Sequence, residues 1–148
     1  PHLWAMGRNP AIYDFENIGR DCTNFASQVL YAGTGVMDFR PVYGWYYRSL
    51  NDRAPAWTGV EFLYNYLTRS TKTPGPVAVE VTQLELEPGD IIQLSFQGYG
   101  YQHTPVVVAV GTEILVAAHS IDSDYRPLST YTYTDARFLH ILGVYPSS

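Results

Sequence analysis

The feature that most limits what this chain can fold into is a change of apolar period part-way along it. Cys22, Phe25, Ala26, Val29 and Leu30 recur at spacings of three and four, so they share one face of a helix. Val60, Leu63, Tyr64 and Leu67 continue the same pattern in a second helix. After "TKTPGP" the period shortens. "IIQLSF" (91–96), "HTPVVVAV" (103–110), "EILVAAHS" (113–120) and "FLHILGVY" (138–145) read as strands between turn-forming residues. Helices precede strands with no βαβ alternation, which predicts an α+β domain: N-terminal helices packed on an antiparallel sheet of about four to six strands.

Local signals set the expected ends of these elements. Asp21 is the expected N-cap of the first helix, accepting from first-turn amides, and Gly33 and Gly35 stop it. Thr58 with Glu61 predicts a capping box for the second, with Trp57 and Phe62 as a hydrophobic staple. "EPGD" (87–90) is a turn, and Gly111-Thr112 predicts a two-residue hairpin loop. "PVYGWYYRSLNDRAPAW" (41–57) has no clean period and reads as an aromatic-rich loop, and "IDSDYRPLSTYTYTDAR" as a long polar one.

At 148 residues and 46% hydrophobic content, residues 1–148 form a single expected domain able to bury a core. The formal charge of -5, with Lys72 the one lysine among nine cations, supplies no basic stripe for nucleic acid or an anionic bilayer. No apolar run approaches the roughly 20 residues of a membrane span. The expectation is no nucleic-acid partner, no membrane insertion and a monomer. The abrupt start "PHLWAMG" fits a domain excised from a longer chain. Thirteen tyrosines and three tryptophans suit either aromatic walls around a flat or sugar-like ligand, or the core of a domain short of aliphatics.

One cysteine cannot form an intrachain disulfide or a four-thiolate zinc site. Cys22 could be a small buried hydrophobe. It also stands at a predicted helix N-terminus, where free amides and the positive dipole end favour a thiolate and can stabilise an oxyanion. One such donor is worth about 3 to 4 kcal/mol in a transition state. His103 opens one strand and His119 closes the next. Pairing Val110 with Glu113 places His103 opposite Ser120 and His119 opposite Thr104, at the same open end. A strict register puts the imidazoles on opposite faces, and a bulge would bring them together. Cys22, His103 and His119 could supply three zinc ligands, but no short segment holds two of them. His2 and His140 carry no such signal.

"DCTNFASQ" (21–28), "PGDIIQL" (88–94), "HTPVVVAV" (103–110) and "AAHS" (117–120), in this order, resemble the bacterial putative amidase domain family, related to the NlpC-type and CHAP cell-wall peptidases among papain-like cysteine hydrolases. The resemblance implies a papain-like α+β fold. It implies Cys22 as nucleophile, His103 as base and His119 as the residue orienting it, with Asp122 as the alternative third member. Tyr13 then lies near the oxyanion site. Asp21 caps the helix at that same end, and Tyr43, Trp45 and Tyr101 belong to loops that would wall the cleft. The implied activity is thioester-based hydrolysis of amide or peptide bonds in peptidoglycan, extracellular or wall-associated, with no cofactor and no metal. A wall-binding module without turnover and an acyl transferase on the same fold are the alternatives.

Overall fold

The computed structural model describes residue 5, residues 21–119 and residues 123–147. Among the described residues, besides the helical Ala5, three helices, α1 (Cys22–Thr34), α2 (Pro55–Thr58) and α3 (Val60–Leu67), accompany eight strands. A small hairpin pairs β1 (Tyr47–Ser49) with β2 (Asp52–Arg53). The main sheet is built from β3 (Gly75–Val81), β4 (Ile91–Ser95), β5 (Val106–Ala109), β6 (Leu115–Ala118), β7 (Ser123–Pro127) and β8 (Asp135–Tyr145), in the spatial order β3-β8-β4-β5-β6-β7. Every neighbouring pair in it is antiparallel. The fold is therefore α+β, with a sheet at the upper end of the expected strand number. Among the described residues no helix is long and apolar enough to cross a membrane.

Alternation along the strands sorts the apolar side chains into two cores. Ile91, Val106, Ala117 and Leu139 face α1 and α3, where they join Phe25, Ala26, Trp45, Trp57, Leu63 and Leu67. Ile92, Leu94, Val107 and Val116 face the other way and are covered by Leu86, just after one 3₁₀ turn, and Leu128, at the start of another, together with Tyr131 and Tyr133. β4 is buried along its whole length because both faces are covered. The helix layer is aromatic at its centre. Trp45 and Trp57 are both fully enclosed, with ring centroids 4.8 Å apart.

Several expectations change at the turns. α3 starts after Gly59, whose extended backbone ends the short α2, so Thr58 makes no capping box with Glu61. Thr58 Oγ1 instead accepts from Arg53, and Glu61 pairs with Arg137. Phe62 remains largely exposed while Trp57 is enclosed, which is not the geometry of a staple. The β5–β6 connection runs over residues 110–114 rather than two residues, and a register shift between Val107 and Ala109 absorbs the difference. The expected "loop" of 41–57 contains β1 and β2, and the long polar loop contains β7.

Two buried polar contacts lock the sheet to its surroundings. Arg137 on β8 donates to Gln93 Oε1 at 2.8 and 2.6 Å and to Glu61 Oε2 at 2.8 Å, while Gln93 donates to the Val60 carbonyl at the start of α3. Its guanidinium lies between the rings of Tyr64 and Tyr101, 3.6 and 4.0 Å from their centroids. Asp90, closing the Glu87–Asp90 turn, accepts from the amides of Glu87 and Ile141 and from His140 Nδ1.

Arg137→Met keeps the stem but leaves Gln93 Oε1 buried without its donor, at a cost of about 1 to 3 kcal/mol. Thermal unfolding should fall by roughly 2 to 10 °C, and an unchanged midpoint would remove the network from the stability account. The hydrogen bond to Asp90 raises the His140 pKa above its ordinary 6.5, with partial burial opposing it. A raised folded-state value means that stabilisation is complete below the unfolded value and is lost as pH rises through the folded one. Urea midpoints should therefore drop, relative to His140→Gln, as pH is raised from about 6.5 through the folded-state value. Parallel pH curves for the two proteins would count against the linkage.

Candidate active site

Each residue of "DCTNFAS" has a separate task at the start of α1. Cys22 is the first helical residue and is enclosed. Its thiol lies 3.7 Å from Thr23 Oγ1 and donates, also at 3.7 Å, to the carbonyl of Gln102. Thr23 Oγ1 shares a hydrogen bond of 3.1 Å with Thr104 Oγ1. Asn24 accepts from the Trp57 indole at 2.9 Å, and Ser27 Oγ accepts from the Trp45 indole at 3.0 Å while donating to the Trp57 carbonyl. Phe25 and Ala26 enter the helix-side core. One turn of helix thus grips the sheet on one side and both tryptophans on the other.

Asp21 departs from its expected role. Its side chain makes no capping hydrogen bond. One carboxylate oxygen accepts from Asn24 Nδ2 at 2.7 Å, and the other is 2.5 Å from His119 Nδ1. The physical reason is burial. Asp21 and His119 are both fully enclosed, and a carboxylate out of water needs strong donors, which a neighbouring amide and an imidazole N–H supply better than helix amides alone. Where the carboxylate is ionised it only accepts, so His119 then donates to it through Nδ1. The His119 ring lies against Phe25, with centroids 4.2 Å apart.

The two histidines occupy opposite faces of the sheet. Val106 pairs with Ala117 and Val107 with Val116, which extends to Thr104 opposite His119, the register expected from the sequence. Thr104 and His119 both point to α1, through Thr23 and through Asp21. A bulge is present beside His103, where the amides of Gln102 and His103 both donate to the Leu94 carbonyl. It does not bring the rings together. The His103 ring sits on the second face, 5.4 Å from the Tyr131 centroid and 6.1 Å from that of Phe96. Its backbone nonetheless adjoins the thiol, because the Gln102 carbonyl that accepts from Cys22 belongs to the preceding peptide unit. The Gln102 side chain braces the same segment, accepting from Phe96 N and donating to the Gly100 carbonyl.

The other expected site residues separate. Trp45 is fully buried in the aromatic layer and presents no face to a ligand, because its ring is the centre of the helix-side core. Tyr101 is half-buried against Arg137. Tyr43 is exposed on a turn of its own. Tyr13 and Asp122 lie outside the described residues. Among the described residues no cluster of three His, Cys, Asp or Glu side chains could hold a metal ion. The pairings Asp21–His119 and Thr23–Thr104 escape a sequence reading because they join residues roughly 80 to 100 positions apart. The available signal is four consecutive hydrogen-bonding side chains, Asp21 to Asn24, on a helix start that must be buried.

The chain is 37% identical over 124 residues to the uncharacterized protein YhbB of Bacillus subtilis (strain 168), an alignment that covers 80% of this chain and 38% of that protein. The chain therefore spans well under half the length of this curated relative. No solved structure matches it. Residues 2–142 match the family model described as "Putative amidase domain", a description that suggests an amide hydrolase. A match over nearly the whole chain places this protein in the putative amidase domain family.

Proposed function

We propose that this protein is a cysteine-dependent amidohydrolase acting on amide or peptide bonds of bacterial cell-wall peptidoglycan, outside the cell or at the wall. The observation that carries the reading is the chain's one cysteine at the first position of α1, its thiol directed at the residue before His103. A helix start favours the thiolate over the thiol, and its first-turn amides point where a tetrahedral oxyanion forms.

In this reading the His103 ring turns from the second face of the sheet toward the thiol that its preceding peptide adjoins, and Cys22 Sγ attacks the scissile carbonyl carbon as its proton passes to His103. The C–N bond breaks as His103 returns that proton to the leaving amine, leaving a thioester on Cys22. Water, deprotonated by His103, then attacks the thioester, and the acid product leaves as the thiol is restored. His103 is assigned as the base over His119 because a base exchanging protons with leaving group and water needs access. His103 is 7% exposed, whereas His119 is 0% exposed between Asp21 and Phe25. His119 is a positioning residue. With Asp21 it fixes the start of α1 against the end of β6 and so sets where the thiol stands relative to the segment that runs from His103 into β5.

Incubation with purified peptidoglycan and mass analysis of released fragments tests the reaction. Cys22→Ala should release nothing, and His103→Ala should lower turnover by about 10²- to 10⁴-fold. Equal product from wild type and Cys22→Ala would sink the proposal. Asp21→Ala strips a buried imidazole of its anion and should lower stability by about 3 to 5 kcal/mol. Asp21→Asn keeps an acceptor and should fold. Its turnover should fall with a shifted pH profile, whereas an unaltered profile would leave the pair a purely structural tie.

A further inference from the structure

Between the turn at residues 41–44 and α3 lies an open groove of about 420 Å³, within the size range of small-ligand sites. Its rim is aromatic and displayed to solvent: Tyr43 is 78% and Phe62 60% exposed, in a chain that encloses Trp45 and Trp57 completely. The turn that presents Tyr43 is strained. Tyr43 N donates to the Pro41 carbonyl at 2.7 Å across Val42, whose φ of 67 lies in the left-handed region that a β-branched residue seldom adopts. It is fixed from beneath, where Asp38 and Trp45 exchange backbone hydrogen bonds. A side chain on Gly44 would lie 2.2 Å from the Asp38 carbonyl oxygen. Strain held this firmly, with two apolar side chains left in water, is a known accompaniment of ligand clamps.

The groove is also cationic. Among the described residues, Arg40 and Arg69 line it and no carboxylate does. Asp38, nearby, is buried behind Arg40 and takes its Nε and Nη2. Arg69 directs its donors to Thr73 and to the carbonyls of Tyr66, Thr73, Gly75 and Pro76, and its guanidinium lies 4.0 Å over the Tyr66 ring. Asp38 thus pairs with Arg40, while Arg69 donates to no carboxylate among the described residues, in a protein of net charge -5. Arg40 Nη1 has no hydrogen-bond partner among the described residues, and the Arg40 side chain is 40% exposed. The Asn65 amide lines the same groove.

We infer that this groove binds a small carboxylate with a flat or apolar body, the carboxylate on Arg40 Nη1 and the body between Tyr43 and Phe62. Asn65 is placed to meet an amide of the same ligand. The site rests on none of the Cys22 chemistry, so it stands or falls separately from the reaction proposed above.

Hippurate, an aromatic amide with one carboxylate, is a suitable probe, and its neutral counterpart N-benzoylglycinamide is the control. Titration of the folded protein, followed by amide NMR shifts, should give saturable binding of hippurate with the largest shifts at residues 40–44 and 62–65. The neutral amide should bind about tenfold or more weakly, because it forfeits a charge-assisted contact. Tyr43→Ala and Phe62→Ala, both exposed positions, should each weaken hippurate by roughly fivefold or more while leaving the thermal midpoint nearly unchanged. Cys22→Ala should bind as wild type does. Equal affinity for acid and amide, shifts centred elsewhere, or no saturation by about 20 mM would overturn the assignment.

Discussion

The contact on which the site depends is the buried pair of Asp21 and His119. It joins the residue before α1 to the residue after β6 across most of the chain length, and neither side chain touches water. Removing two polar groups from solvent is costly unless each finds a strong partner, so the pair tolerates little displacement. Asn24 extends the string from Asp21 to the Trp57 indole. A shift of helix against sheet would therefore break hydrogen bonds in both the site and the aromatic layer. The thiol of Cys22 is positioned by this tie rather than by a rigid loop.

A second tie acts from the opposite side. Arg137 lies between Tyr64 of α3 and Tyr101 of the connection that leads to Gln102 and His103. The guanidinium is nearly buried, yet its hydrogen bonds to Gln93 and Glu61 satisfy it, and two rings offer it their negative faces. The glycine-containing connection at residues 97–101 would otherwise have few apolar anchors. Through Tyr101 it is held to the same β8 that pairs with β4, so the segment running from His103 into β5 starts from a fixed point.

How much of this was legible in the sequence depends on how local the determining interaction is. The helix from Cys22 follows from its apolar stripe and ends at Gly35, whose φ of 68 is the left-handed cap expected of a glycine there, while Gly33 stays inside the helix. β4 follows from an apolar run bounded by a turn. β3 was missed because "GPVAVEV" begins with a proline and a glycine, and β7 because "SDYRP" has almost no apolar content; both are set by pairing partners distant in sequence. The register of β5 with β6 came out right at Val106 and Val107 despite a wrong turn, since the bulge near Val108 compensates for the longer loop. The site divides in the same way. A cysteine at a helix start is a local pattern, but the partner of Asp21 is a property of the closed sheet.

The outer strands of the described sheet share a trait with a consequence for the protein in solution. β3 begins with Gly75 and Pro76, the second of which has no backbone N–H, and in β7 Tyr125 adopts a φ of 54 that breaks the regular pleat. An extended chain approaching either strand meets a missing donor or a kinked ladder rather than an even row of amides and carbonyls. Irregular borders of this kind oppose edge-to-edge annealing of extended chains, the pairing through which a flat, regular border seeds fibres.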